Sequence, residues 1–96
     1  MGIEELLSDK RADIMRLAEL HGAHNVRVFG SVARGEAGPE SDVDLLVHME
    51  SGRSYFDLVD LWYELRDLLG REVDVIDDDG LSPYLKDRIL AEAIPI

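Results

Sequence analysis

Three short apolar runs that alternate with longer segments of helical periodicity constrain the fold of this chain more than any other feature. The runs are residues 26–29, 43–48 and 72–76, and all three are rich in valine. Short runs of β-branched residues predict strands, whereas apolar residues spaced three and four apart predict helices. The resulting order, α-β-β-α-β-α, predicts an α+β fold in which helices cover a small mixed β-sheet.

Residues at the ends of the predicted helices support these boundaries. Gly22 and Gly70 each follow a stripe of apolar residues, as C-terminal cap glycines do. Ser82 precedes Pro83, a pair typical of a helix N-terminus. On this last helix we expect an inner face made of three residues, Leu81, Leu85 and Ile89.

Length and charge limit the classes of function. The 96 residues are enough for a single domain, predicted to span residues 1–96. The net charge of −11 argues against direct nucleic-acid binding and suits a basic partner, metal-bridged contact with an anionic substrate, or solubility alone. The absence of cysteine excludes thiolate chemistry, and no signal peptide or membrane span is recognisable, so we expect a cytoplasmic protein.

Three aspartates occupy positions where carboxylates are costly. Asp42 and Asp44 flank one valine, so both point to one face of the second strand while Val43 points to the other. Asp74 lies between two valines of the third strand, and we expect it on the same surface. Adjacent carboxylates repel unless a cation separates them, and Mg²⁺ prefers such oxygen ligands. The pattern predicts a site for one or two metal ions.

A possible phosphate-binding turn precedes these acids. Gly30 permits close approach of the backbone, and Ser31 could open a helical turn whose N–H groups and hydroxyl bind an anion. Arg34 in the same turn could bind phosphate through its guanidinium, although a plain surface arginine is the alternative. Together with the metal site, this turn predicts binding of a nucleoside triphosphate.

The stretch "GSVARGEAGPESDVDLLV" resembles the signature of nucleotidyltransferases, Gly-Ser, ten residues, Asp-x-Asp. It is most similar to the minimal nucleotidyltransferases of the DNA polymerase β superfamily, and it looks like the antitoxin half of a HEPN/MNT toxin–antitoxin pair. The resemblance implies Mg²⁺-dependent transfer of AMP from ATP to a tyrosine of a HEPN ribonuclease toxin (AMPylation). It also implies that Gly30 and Ser31 bind triphosphate, that Asp42 and Asp44 bind metal, and that Asp74 is the third acid, activating the attacking hydroxyl.

Other interpretations stay open at this point. A non-catalytic antitoxin that docks on its toxin would have the same size and charge, and transfer to a small molecule is a further possibility. Residues 77–80 are expected to form a solvated turn, and His48 to be a strand-end histidine or the edge of the site. Tyr55, Val59 and Tyr63 form a second stripe on the middle helix, either core periphery or a partner surface.

Overall fold

A computed structural model describes residues 3–38 and 41–96, and its helices and strands follow the predicted order. The elements are α1 (Ile3–Leu20), β1 (Ala23–Phe29), β2 (Val43–Met49), α2 (Tyr55–Leu69), β3 (Val73–Asp77), α3 (Pro83–Glu92) and β4 (Ile94–Pro95), with a 3₁₀ turn at Asp78–Gly80 between β3 and α3. The predicted α+β fold with a mixed sheet is confirmed.

The four strands form one sheet in the order β3-β2-β1-β4. β2 and β3 are parallel and are joined through α2, whereas β1 is antiparallel to both β2 and β4. The sequence did not predict β4, because two residues including a proline are too short for a strand pattern. This strand pairs with Arg27 and Val28 of β1.

The core lies between the sheet and the first two helices. Val43, Leu45 and Val47 are fully buried on one face of β2, where they join Leu61 and Leu65 of α2 in one apolar cluster. The strand alternation places Asp44 on the opposite face. The core therefore covers one side of the sheet and leaves the acidic residues of β2 on the other side.

The helix caps predicted from the sequence are confirmed. Gly70 ends α2 in the left-handed conformation, with φ of 66°, and Ser82 accepts a hydrogen bond from the Tyr84 N–H at the start of α3. Pro83 is the first residue of that helix. None of the helices among the described residues is both long and apolar enough to cross a membrane.

The expected inner face of α3 is wrong in part. Leu85 is 48% exposed, and no residue of α3 is buried. Leu81 and Ile89 are only half-buried. The reason is that α1 and α2 already cover the core face of the sheet, so α3 lies outside the main core.

Candidate active site

The parallel pairing of β2 and β3 brings two of the predicted acids together. Asp44 and Asp74 are direct partners in the register, although α2 separates them along the chain. Asp42 immediately precedes β2 and is exposed, Asp44 is half-buried, and Asp74 is exposed. Arg71 donates to the Ser41 carbonyl at 3.3 Å, a contact that holds the residue before Asp42 against the start of β3.

The turn that follows β1 lies beside these acids. Phe29 pairs with Asp44 across the sheet, and Gly30 comes next, with φ of +73°. A Cβ at Gly30 would collide with Oδ2 of Asp44. Glycine is thus required here twice, for its backbone conformation and for the space that the carboxylate fills.

The backbone of residues 30–36 forms a single turn of helical character. The Arg34 N–H donates to the Gly30 carbonyl at 3.1 Å, and the Glu36 N–H donates to the Ser31 carbonyl at 2.9 Å. In the part of the chain that the structure describes, the N–H groups of Ser31, Val32 and Ala33 have no hydrogen-bond acceptor. Such N–H groups at the start of a turn are available to an anion.

Glu92, which the sequence analysis did not identify, also belongs to this site. It is the last residue of α3, and its Oε2 accepts a hydrogen bond from the Gly30 N–H at 3.2 Å. Its Oε1 accepts from Nη1 of Arg34, and Arg34 also donates to Glu36 at 3.0 Å. No local pattern marks Glu92, because only the packing of the C-terminal segment brings it to the turn.

The electrostatics of the site are unfavourable for Asp44. Burial raises the pKa of Asp44 to about 6, and repulsion from Asp74, Asp42 and Glu92 adds to the effect. A hydrogen bond between the carboxyl groups of Asp74 and Asp44 also raises the pKa of Asp44, because it favours the protonated form of Asp44. Repulsion between carboxylates of this kind is relieved when a cation lies between them.

The predicted solvated turn at residues 77–80 is not a simple solvated turn. Asp78 accepts a hydrogen bond from Nη2 of Arg27 at 2.8 Å, and Nδ1 of His48 lies 2.8 Å from its other oxygen. The side chain of Asp78 is 18% exposed and that of Arg27 is 10% exposed. Sequence reasoning missed this ion pair because its members lie on different strands and turns. His48 thus contacts Asp78 rather than the acids at the other end of β2.

A groove of about 600 Å³ runs between α2 and β3 and reaches Asp74. Its walls are mainly aromatic and aliphatic, namely Tyr55, Leu58, Val59, Trp62, Tyr63, Val75 and Ile76. Tyr55 and Tyr63 are 74% and 56% exposed and Val59 is half-buried, so the predicted second stripe of α2 lies at the edge of the core and is open to solvent. The groove joins an apolar surface to one of the three acids.

Comparison with known proteins assigns the chain to a family. The pattern of the Nucleotidyltransferase domain family matches residues 14–96. A Methanocaldococcus jannaschii protein that is provisionally named a protein adenylyltransferase is 42% identical over 90 residues, which cover 94% of this chain and 97% of that protein. The protein adenylyltransferase MntA of Thermococcus cleftensis is 36% identical over 92 residues, which cover 96% of this chain and 93% of that protein.

Solved structures agree with this assignment. A provisionally identified minimal nucleotidyltransferase superimposes with a TM-score of 0.88 at 48% identity, covering 100% of this chain and 97% of its own. A toxin–antitoxin complex with AMP-PNP matches in fold alone, with a TM-score of 0.75 at 21% identity over 88% of this chain and 69% of that one. The chain belongs to the nucleotidyltransferase family, in its minimal form with the polymerase β-like fold, and is a nucleotidyltransferase enzyme.

Proposed function

We propose that this enzyme transfers AMP from ATP to a hydroxyl group of a partner protein, in an Mg²⁺-dependent reaction. The observation that carries the proposal is the pairing of Asp44 with Asp74 on adjacent strands, beside a turn with free N–H groups, with Asp42 two residues before Asp44. The acceptor we propose is a tyrosine of a HEPN-type toxin, which the modification silences. The chain would then act as the antitoxin.

The turn after β1 supplies the donors for the triphosphate. The N–H groups at its start and the Ser31 hydroxyl are neutral donors that bind phosphate oxygens. Arg34 is exposed and adds a positive charge with a planar pair of donors, which suits a phosphate group. Because Gly30 touches the Asp44 carboxylate, nucleotide bound at the turn would lie next to the acids.

The residues present fit a divalent metal ion. Asp42, Asp44 and Asp74 offer only hard oxygen donors, and the pKa of Asp44 is raised by burial and by repulsion from the neighbouring acids, which a cation would offset. Asp44 and Asp74, which pair in the register, would hold the metal together with Asp42. Bound Mg²⁺ would neutralise charge on the triphosphate and on the departing pyrophosphate.

Asp74 is the acid placed to receive a proton. In the proposed reaction the acceptor oxygen bonds to the α-phosphorus, the bond from that phosphorus to the bridging oxygen breaks, and pyrophosphate leaves with the electron pair. The proton of the acceptor hydroxyl passes to a carboxylate oxygen of Asp74. Asp74 is exposed and lies on the groove between α2 and β3, so a hydroxyl can approach it from solvent.

Three observations support a protein acceptor. Relatives that match nearly the whole chain are named protein adenylyltransferases. The groove that reaches Asp74 has exposed tyrosines on its wall, and such aromatic surfaces are common where proteins meet. The net charge of −11 suits a basic partner.

The proposal is tested by incubating the protein with labelled ATP, Mg²⁺ and a HEPN-type protein encoded beside it. Label is expected on that protein, and intact-mass and peptide mapping should place AMP on a tyrosine. Asp42→Asn together with Asp44→Asn should abolish the label. Absence of label with the unaltered enzyme at saturating ATP would refute transfer to this partner.

A docking antitoxin that needs no catalysis is the second candidate, favoured by the exposed apolar wall of the same groove. The double variant Asp42→Asn and Asp44→Asn separates the two candidates. If it still neutralises the toxin at native expression, docking is sufficient. If neutralisation fails although the variant binds the toxin, catalysis is required.

A further inference from the structure

Glu92 presents to the turn after β1 the kind of anionic face that a phosphate group presents. One of its oxygens accepts from the Gly30 N–H at 3.2 Å, and the other accepts from the guanidinium of Arg34. A backbone N–H at a turn and an arginine are the donors that typically bind two oxygens of one phosphate. The contact is made by α3, far from the turn in sequence.

We infer that Glu92 is an internal competitor of the nucleotide, and that its carboxylate must leave Gly30 and Arg34 before the triphosphate can use them. The inference rests on the proposed function, since it takes this turn as the triphosphate site. The proposed function names residues that bind the nucleotide. This inference adds Glu92, which lowers the affinity for the nucleotide without binding it.

Electrostatics make simultaneous occupation unfavourable. The hydrogen bond from Arg34 lowers the pKa of Glu92 despite partial burial, so the carboxylate is ionised at neutral pH. The same carboxylate acts on Asp44 as a repulsive charge, which places it near the cluster of acids. A triphosphate at this position would be repelled by the negative charge of Glu92. It would also lack the two donors, the Gly30 N–H and the Arg34 guanidinium, that Glu92 occupies.

The local structure allows Glu92 to leave without disturbing the core. No residue of α3 is buried. After Glu92 the chain is held by the two-residue strand β4 and by a hydrogen bond of 3.3 Å from the Ile96 N–H to the Val26 carbonyl. A side-chain rotation or a small shift at the end of α3 would free the donors.

The decisive measurement is the affinity for AMP-PNP with Mg²⁺ of the full chain and of two variants, by titration calorimetry. Glu92→Gln keeps the size of the side chain and removes its charge, whereas Asp87→Asn makes the same charge change at an exposed residue of α3. A competitor that occupies the donors most of the time lowers the apparent affinity in proportion. We expect Glu92→Gln to bind about threefold to tenfold more tightly and Asp87→Asn to change by less than about twofold.

The outcomes separate this inference from the proposed function. Equal or weaker binding by Glu92→Gln, with binding by the unaltered chain intact, overturns the inference alone and makes Glu92 a support of Arg34. If neither the unaltered chain nor any variant binds AMP-PNP, the proposed function fails and the inference fails with it. If Glu92→Gln binds AMP-PNP and the unaltered chain does not, the result supports competition strong enough to block the site.

A measurement on the unaltered chain covers the case in which Glu92→Gln does not fold. The side-chain carboxyl ¹³C resonance of Glu92 and the Gly30 amide resonance report the contact directly. Saturating AMP-PNP should shift both resonances, and the Glu92 resonance should move to the position of an exposed glutamate. A Glu92 resonance that does not change at saturation would overturn the inference.

Discussion

The two ends of strands β2 and β3 carry clusters of aspartates in opposite electrostatic environments. At one end, Asp44 pairs with Asp74 and Asp42 lies two residues before Asp44, and within residues 3–38 and 41–96 no basic side chain forms an ion pair with these three. At the other end, Asp78 has two basic partners, Arg27 and His48. Aspartate is therefore paired with basic side chains at one end of the strands, whereas at the other end its negative charge has no basic partner.

The difference appears in the pKa values of the two clusters. Burial opposes ionisation at both ends, yet hydrogen bonds from His48 and Arg27 lower the pKa of Asp78, whereas burial, with added repulsion from neighbouring acids, raises the pKa of Asp44 to about 6. A balanced cluster contributes to folding, and an unbalanced one reduces stability unless a ligand supplies the missing charge. The comparison therefore separates a cluster whose aspartate has basic partners from one whose aspartates have none, and the proposed function rests on the second.

The largest expected effect is on catalysis. Asp44→Asn should reduce adenylyl transfer by at least about a hundredfold, because it removes a charge aimed at the reacting groups. Asp79→Asn is the matched control, since Asp79 is exposed in the other cluster and the charge change is the same. Initial rates with labelled ATP measure both, and equal losses in the two variants would contradict the assignment of roles.

The next effect is on stability and comes from the other cluster. Asp78→Asn should lower the free energy of unfolding by about 2–4 kcal/mol, because it leaves the buried charge of Arg27 without a charged partner. Urea unfolding of the variant and of Asp79→Asn gives the comparison. A loss below about 0.5 kcal/mol, which is typical of exposed positions, would show that Arg27 finds other compensation.

A glycine substitution tests how closely the turn and the acids are fitted. Gly30→Ala should lower the free energy of unfolding by about 1–3 kcal/mol through its positive φ, and it should displace the Asp44 carboxylate. Gly35→Ala is the control, because it has a similar φ of +72° and an added Cβ would meet nothing within 4 Å. We expect both variants to lose stability and only Gly30→Ala to lose most of its transfer activity.

The smallest effect is on the pH dependence of stability. The pKa of Asp44 is raised and that of Asp78 is lowered, so ionisation of Asp44 reduces stability and ionisation of Asp78 increases it. The pKa of Asp44 is raised on folding, so the stability of the metal-free protein falls as pH rises from the ordinary pKa of 3.8 to about 6 and changes no further above that. At pH 7 and in EDTA, Asp44→Asn should therefore increase the free energy of unfolding by about 1 kcal/mol, a value reduced by solvent screening. The gain should vanish well below the ordinary pKa of 3.8, where Asp44 is protonated in both the folded and the unfolded state, and a loss of stability at pH 7 would contradict the assignment.

Local sequence patterns were sufficient to predict most of the fold and to place Asp44 and Asp74 on one face of the sheet. Valine-rich runs, helical stripes and cap residues such as Gly70 reflect short-range physics, and the face of each aspartate follows from strand alternation. The meeting of Asp44 and Asp74 required only that β2 and β3 be neighbours. Their roles in metal binding and proton transfer stay predictions until the variants are measured.

Features that depend on long-range packing could not be predicted from the sequence. Glu92 and the ion pair of Arg27 with Asp78 join segments that are distant along the chain, and a glutamate at a helix end has no distinguishing local pattern. Strand β4 is too short to show periodicity. The exposed position of Leu85 depends on which helices reach the core first, which is a property of the whole fold.

The parallel pairing of β2 with β3 has a consequence for how the protein folds. Parallel strands cannot be joined by a tight turn, so Asp44 and Asp74 meet only after α2 has formed and packed across the sheet. Contacts between segments this far apart in sequence are slow to form, because closing the intervening chain costs entropy. A newly made chain would therefore bring Asp44 and Asp74 together late, after α1 and the β1–β2 pair had formed.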